Sequence, residues 1–167
     1  MKKTCMLKIL KIADLFTLAN LICGLAAIFL FIDGIFLGGV ILILAALIFD
    51  FLDGRVARIT KNQNEFGKEL DSLCDMVSFG IAPAVMLFMM AGEKGFILLY
   101  VIFACCGALR LARFNVVKVK GFIGMPITMN GVLFPALYFI GAPLMLIHVM
   151  MGVSTVLMVS GLRFRKM

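Results

Sequence analysis

The hydrophobic positions of this chain fall into long runs, not into the alternating stripes of helices that face water on one side. Residues 15–32 are interrupted by Thr17 and Asn20 as the notable polar groups, and 35–49 are apolar throughout. A third run follows within 67–91 and a fourth within 96–115. From Gly121 to Leu162 no formally charged residue occurs, a length sufficient for two spans of about 20 residues each. A water-facing helix would carry a polar face; runs without one belong in lipid, where helices satisfy their own backbone. The pattern predicts an all-α integral membrane protein with six transmembrane helices.

Short polar segments punctuate the runs. Asp33-Gly34 and Gly92-Glu93-Lys94-Gly95 predict turns. Between the last two spans the turn is expected at Gly141-Ala142-Pro143, with His148-Val149-Met150 as the alternative. The second span is expected to continue as helix through Asp50, Asp53 and Arg58. Residues 61–64 form a polar connection and Glu65 begins the return. Lys2, Lys3, Lys8 and Lys11 among Met, Leu and Ile suit a short interfacial helix over 1–12. These lysines precede an apolar run as in a signal peptide, but no small-residue cleavage site follows, so the run reads as a retained first span. The expectation is a single membrane domain over 1–167, with an interfacial segment at 1–12 and a six-helix bundle at 14–162.

Composition agrees: 63% of the 167 residues are hydrophobic, 15% are charged, and the mean hydropathy is +1.15. The net charge of +7 would suit nucleic acid, but the charges cluster between apolar runs, as in contacts with anionic lipid. Six spans put both termini on one side, together with every Lys and Arg except Lys94, and the positive-inside rule makes that side the cytoplasm. The expected location is the cell membrane, multi-pass, with the site opening inward and no nucleic-acid partner. The five cysteines contain no C-x-x-C pair and read as small buried hydrophobes. His148 reads as an interfacial residue near the far side.

Four aspartates stand against this background. Asp50 and Asp53 are three apart, Asp71 and Asp75 four apart, so each pair shares one face of a helix. Intramembrane carboxylates are costly and mark function; four brought together suit two hard divalent cations. Gly54 and Ala57 clear space beside the first pair, Arg58 suits a phosphate, and Gly67 clears space before Asp71. Together these point to metal-assisted phosphoryl chemistry. A divalent-cation carrier would use the carboxylates but leaves Gly54, Ala57 and Arg58 unexplained.

The full spacing runs Asp50, two residues, Asp53-Gly54, two residues, Ala57-Arg58, eight residues, Gly67, three residues, Asp71, three residues, Asp75. It resembles the signature of the CDP-alcohol phosphotransferases at every fixed position, and the expected six spans agree with that family. The resemblance implies a binuclear site for two Mg²⁺ or Mn²⁺ ions, with Asp50, Asp53, Asp71 and Asp75 as ligands and Asp75 also as the base. It implies that Asp50, Asp53, Gly54, Ala57, Arg58 and Gly67 border the CDP group, and that the chain forms a homodimer among membrane lipids. Further segments are similar to the phosphatidylserine synthase branch, among them Asp75-Met76-Val77-Ser78-Phe79-Gly80-Ile81-Ala82-Pro83 and Arg110-Leu111-Ala112-Arg113-Phe114-Asn115-Val116. That branch implies CDP-diacylglycerol or a related CDP-lipid as donor, acyl or ether-linked, and L-serine as acceptor. Arg110 or Arg113 is then expected to hold the serine carboxylate and Asn115 or Ser78 to orient its amine, with Asn20 and Thr17 as additional substrate contacts. A phosphorylated alcohol, glycerol 3-phosphate or inositol phosphate, stays open as the acceptor, because Arg110, Arg113, Lys118 and Lys120 could supply the extra basic cluster.

Overall fold

The apolar runs become helices in a computed structural model that describes residues 11–59, 65–92, 94–116, 122–161 and 163–164. The interfacial segment expected at 1–12, apart from its last two residues, lies outside the described residues. So do the connection 61–64, Lys118 and Lys120. The first hairpin pairs α1 (Ile12–Ile32) with α2 (Phe36–Ile59). Its turn is the expected Asp33-Gly34: the amides of Asp33, Gly34 and Ile35 close on the carbonyls of Phe29, Phe31 and Leu30. Gly34 sits at φ 76°, a conformation that glycine adopts without a Cβ penalty.

The third rod, 65–91, is not one α-helix. It runs as α3 (Glu65–Asp75), a π-helical segment (Met76–Ile81) and α4 (Ala82–Ala91). Ala82 N–H donates to the Val77 carbonyl, five residues back. Pro83, in the first turn of α4, has no N–H to offer the carbonyl of Phe79 four residues earlier. A wider turn is one way a membrane helix absorbs such a loss. The rod ends at Gly92, φ 61°. A 3₁₀ turn at Lys94–Phe96 then leads into α5 (Ile97–Val116).

After α5, β1 (Phe122–Ile123) pairs antiparallel with β2 (Arg163–Phe164), an interaction too short to be read from sequence. Between them a 3₁₀ turn (Ile127–Met129) opens α6 (Asn130–Phe139), and α7 (Leu144–Val159) follows. The turn lies at Gly141-Ala142-Pro143, with Gly141 at φ 69°, while His148-Val149-Met150 is inside α7. Among the described residues, four helices, 12–32, 36–59, 65–91 and 97–116, are long and apolar enough to cross a membrane. The two apolar helices 127–139 and 144–159 are shorter than the 20-residue spans expected there. The uncharged stretch also has to supply β1, the approach through Pro126 and the Gly-Ala-Pro turn. At 1.5 Å per residue the 16 residues of α7 reach about 24 Å.

The third rod is the most enclosed of the long apolar helices. Its own Phe79 is fully buried, as are Phe31, Phe103, Phe134, Ile127 and Met151 of the other elements. The outer faces stay apolar, with Ile22 67% and Val156 70% exposed, as lipid requires. Gly131 of α6 presses on the Phe79 ring, where a Cβ would come within 2.6 Å of ring carbons. Gly131→Ala is therefore expected to destabilise the fold by about 1–3 kcal/mol through overpacking, read as a lower thermal midpoint in detergent.

Candidate active site

Asp50 and Asp53 lie in the second half of α2, and Asp71 and Asp75 in the second half of α3, so the two helices bring their aspartate faces together. One carboxylate oxygen each of Asp50, Asp53 and Asp71 lie within 4.8 Å of one another. Asp75 joins them within hydrogen-bonding reach of Asp50. Asp53 and Asp75 are 6% and 5% exposed. Helix α1 supplies what holds them. Thr17 Oγ1 donates to Asp53 Oδ2 at 2.8 Å and Asn20 Nδ2 donates to Asp75 Oδ1 at 3.1 Å. Thr17 and Asn20 are three apart on one face, so a single helix orients a carboxylate of each neighbour.

These donors leave the group incompletely satisfied. Among the described residues, Asp71 Oδ1 is buried and accepts no hydrogen bond. Four carboxylates this close repel one another, and a repulsion of that kind is stronger in a low-dielectric surrounding than in water. An all-oxygen, anionic donor set suits hard divalent cations such as Mg²⁺ or Mn²⁺. On these grounds the residues present fit a metal centre.

Through Asp53 and Asp71 the cluster opens on a cavity of about 520 Å³. Helix α2 lines it with Asp53, Gly54, Ala57 and Arg58; α3 adds Glu65, Gly67, Lys68 and Asp71; α1 adds Ala13, Asp14 and Thr17. Gly54 is not forced by packing, since a Cβ there would meet nothing closer than the Arg58 guanidinium at 3.9 Å. Its missing side chain leaves the cavity wall open. Arg58 Nε donates to the Gly54 carbonyl at 2.9 Å, which draws the guanidinium back along its own helix. Four lining residues, Ala13, Asp14, Glu65 and Lys68, are not among the expected site residues. Lys68 adds a second cation beside Arg58. Asp14 is buried in the first turn of α1, where its Oδ2 takes the Lys11 backbone N–H at 2.8 Å. Its sequence signal was a carboxylate in the opening turn of a helix, the capping pattern.

The residues expected around the acceptor divide sharply. Arg110 of α5 is 8% exposed, its charge interacts with that of Asp75, and its guanidinium lies 5.4 Å from the Phe114 ring centre. Arg113 points its donors elsewhere: Nη1 to the Val159 carbonyl at 3.2 Å, Nη2 to Met158 at 3.1 Å and Ser160 at 3.3 Å. It caps the end of α7, where carbonyls lack helical partners. Asn115 Nδ2 donates to Glu69 Oε2 and Ser72 Oγ, both at 3.0 Å, bridging α3 and α5. Ser78 is fully buried and donates to the Asn20 carbonyl at 3.1 Å, away from the cavity lining. The structure thus brings Arg110 toward the aspartates and engages Arg113, Asn115 and Ser78 with the protein itself. Asn20 contributes one more feature. A carboxylate only accepts, so the amide nitrogen faces Asp75. Its buried Oδ1 has no partner among the described residues.

Comparison with known proteins agrees with this geometry. A family model described as CDP-alcohol phosphatidyltransferase matches residues 10–164. A CDP-diacylglycerol–serine O-phosphatidyltransferase of Methanocaldococcus jannaschii is 47% identical over 75% of this chain and 59% of its own length. An archaetidylserine synthase of Methanothermobacter thermautotrophicus is 40% identical, over 90% of this chain and 68% of its own. A CDP-diacylglycerol–serine O-phosphatidyltransferase of Bacillus subtilis is 37% identical, over 89% and 86%. This chain therefore spans less than two thirds of the Methanocaldococcus protein and most of the Bacillus one. With the match extending over nearly the whole chain, the chain belongs to the CDP-alcohol phosphatidyltransferase family.

Proposed function

We propose that this chain makes a serine phospholipid, transferring the phosphatidyl group of a CDP-linked lipid to L-serine and releasing CMP. The observation that carries the reading is the aspartate cluster of α2 and α3, whose Asp53 and Asp71 lie on the wall of a cavity that also presents Arg58 and Lys68. The names of the relatives support the acceptor: they differ in the lipid and agree on serine. The reading includes six membrane crossings, a site at their cytoplasmic ends, and a homodimer.

In this reading Asp50, Asp53, Asp71 and Asp75 hold two Mg²⁺ or Mn²⁺ ions. When bound, the ions supply charge neutralisation and polarisation of phosphoryl oxygens. Every other task falls to side chains and backbone. Gly54 and Ala57 let the diphosphate approach α2, and Arg58 and Lys68 offer it positive charge from two sides. The serine hydroxyl attacks the lipid-side phosphorus, the bond from that phosphorus to the bridging oxygen breaks, and CMP departs with the electron pair. Asp75 takes the hydroxyl proton, held for the purpose by Asn20. Arg110 takes the serine carboxylate. The Asn20 Oδ1, buried beside Asp75, suits the serine ammonium better than the engaged Ser78 or Asn115.

The test is CMP release from CDP-diacylglycerol by purified protein with Mn²⁺ or Mg²⁺, offered L-serine, glycerol 3-phosphate or inositol phosphate in turn. Serine-dependent release is expected. Release with another alcohol but not with serine would keep the chemistry and overturn the acceptor. No release with any of them, together with metal flux into liposomes, would replace the enzyme by a carrier.

A further inference from the structure

The π-helical segment begins at the residue after Asp75 and is clasped from two sides. On the α1 side Ser78 Oγ donates to the Asn20 carbonyl, and Asn20 returns a hydrogen bond to Asp75. Gly24, one turn along α1, lies so close that a Cβ would sit 2.9 Å from Ser78 Cα. On the opposite side Asn130, the first residue of α6, directs Nδ2 to the Phe79 carbonyl at 3.5 Å. Ser154 of α7 donates to Asn130 Oδ1 at 2.6 Å. The Phe79 carbonyl only accepts, so the amide nitrogen faces it and Oδ1 is left to take the Ser154 hydroxyl proton. Asn130 is fully buried and Ser154 1% exposed, so neither has water as an alternative partner.

The target of this relay has a specific defect. Phe79 is the residue whose carbonyl loses its ordinary helical donor to Pro83. The Asn130 amide, though at long range, stands where that donor is missing. The consequence reaches Asp75 through helix phase. One residue of α-helix is a rotation of about 100°, and a π turn holds one residue more than an α turn. Beyond the turn, α4 is locked in the core by fully buried Met86 and Leu87. Whether the turn stays π or relaxes toward α therefore decides which face α3 presents, and with it where Asp71 and Asp75 point.

We propose that Asn130 and Ser154 are positioning residues for Asp75: the Ser154–Asn130–Phe79 relay holds the π turn that aims the α3 carboxylates at their partners on α2. The proposal rests on the reading of the aspartates as a metal-binding catalytic cluster. Neither residue touches that cluster, and both come from the uncharged stretch that the sequence marks only as membrane span.

The experiment compares Ser154→Ala and Asn130→Ala with Tyr100→Phe, all purified in detergent. Tyr100→Phe is the control for lost buried bonding, since the Tyr100 hydroxyl lies 2.6 Å from His148 Nε2, in a different buried group. The first readout is Mn²⁺ affinity by electron paramagnetic resonance, without CDP-lipid or serine. Both relay variants are expected to weaken it about 3–10-fold, at or below the usual effect of losing an outer-shell partner, while Tyr100→Phe leaves it unchanged. The second is the kinetic split: kcat for CMP release falls about tenfold and the KM for CDP-lipid stays. Folded relay variants with wild-type Mn²⁺ affinity and kcat would overturn the proposal. So would an equal loss of Mn²⁺ affinity in Tyr100→Phe, which would make the effect one of general stability. If the wild type binds Mn²⁺ but releases no CMP with serine, the functional reading fails while the metal-affinity arm still decides the relay.

Discussion

Asp75→Asn is expected to lower kcat for serine-dependent CMP release by about 10²–10⁴, the range for losing a positioned base, while leaving the protein folded. The side chains are nearly isosteric, and Asn20 Nδ2 can still donate to an amide oxygen in place of Asp75 Oδ1. What disappears is the proton acceptor and one of four crowded carboxylates. The second loss makes a separate prediction. In metal-free buffer the variant should melt no lower than wild type, because its removal relieves repulsion from Asp50, Asp71 and Asp53. Added Mn²⁺ should stabilise it less than wild type, since at a given concentration a more weakly bound ligand stabilises a fold less. A kcat within tenfold of wild type would remove Asp75 from the base role. A variant that melts lower without metal would make its carboxylate a structural anchor.

The aspartates were legible because their information is local. Spacings of three and four on a helix fix a shared face whatever the tertiary structure does, and α2 and α3 both carry their pairs as α-helix. The Asp33-Gly34 and Gly141 turns were legible for the same reason: a glycine at positive φ is a local demand. What failed to show was everything set by partners distant in sequence. Arg110 and Arg113 look equivalent on paper, and only the end of α7 distinguishes them by absorbing the donors of one. Asn130 and Ser154 look like minor polar interruptions of a span until the π turn gives them a carbonyl to serve. Pro83 was the available hint, since a proline after a polar helix leaves an unpaired carbonyl four residues back. The last two helices are shorter than their uncharged stretch suggests, because such a stretch does not reveal how much of itself it spends on turns. Asp14 is overshadowed in the sequence by the lysines that precede the first span.

The division between the two arginines leads to the second large effect. Arg110→Lys is expected to raise the KM for L-serine about 10–100-fold, the loss of one bidentate, charge-assisted contact. At saturating serine, kcat should approach the wild-type value, and the KM for CDP-lipid should hold. The ammonium keeps the positive charge near Asp75, so the local electrostatics of the base survive; only the planar fork that matches a carboxylate is lost. Arg113→Lys should behave in the opposite way. Its guanidinium serves the carbonyls of Met158, Val159 and Ser160 at once, and a lysine ammonium has no planar fork to replace that arrangement. The expected result is a lower thermal midpoint with an unchanged serine KM. Steady-state kinetics and thermal melts on the same two preparations check both arms. A serine KM that rises in Arg113→Lys and not in Arg110→Lys would reverse the assignment. If neither variant moves it, the serine carboxylate is bound by some group outside α5.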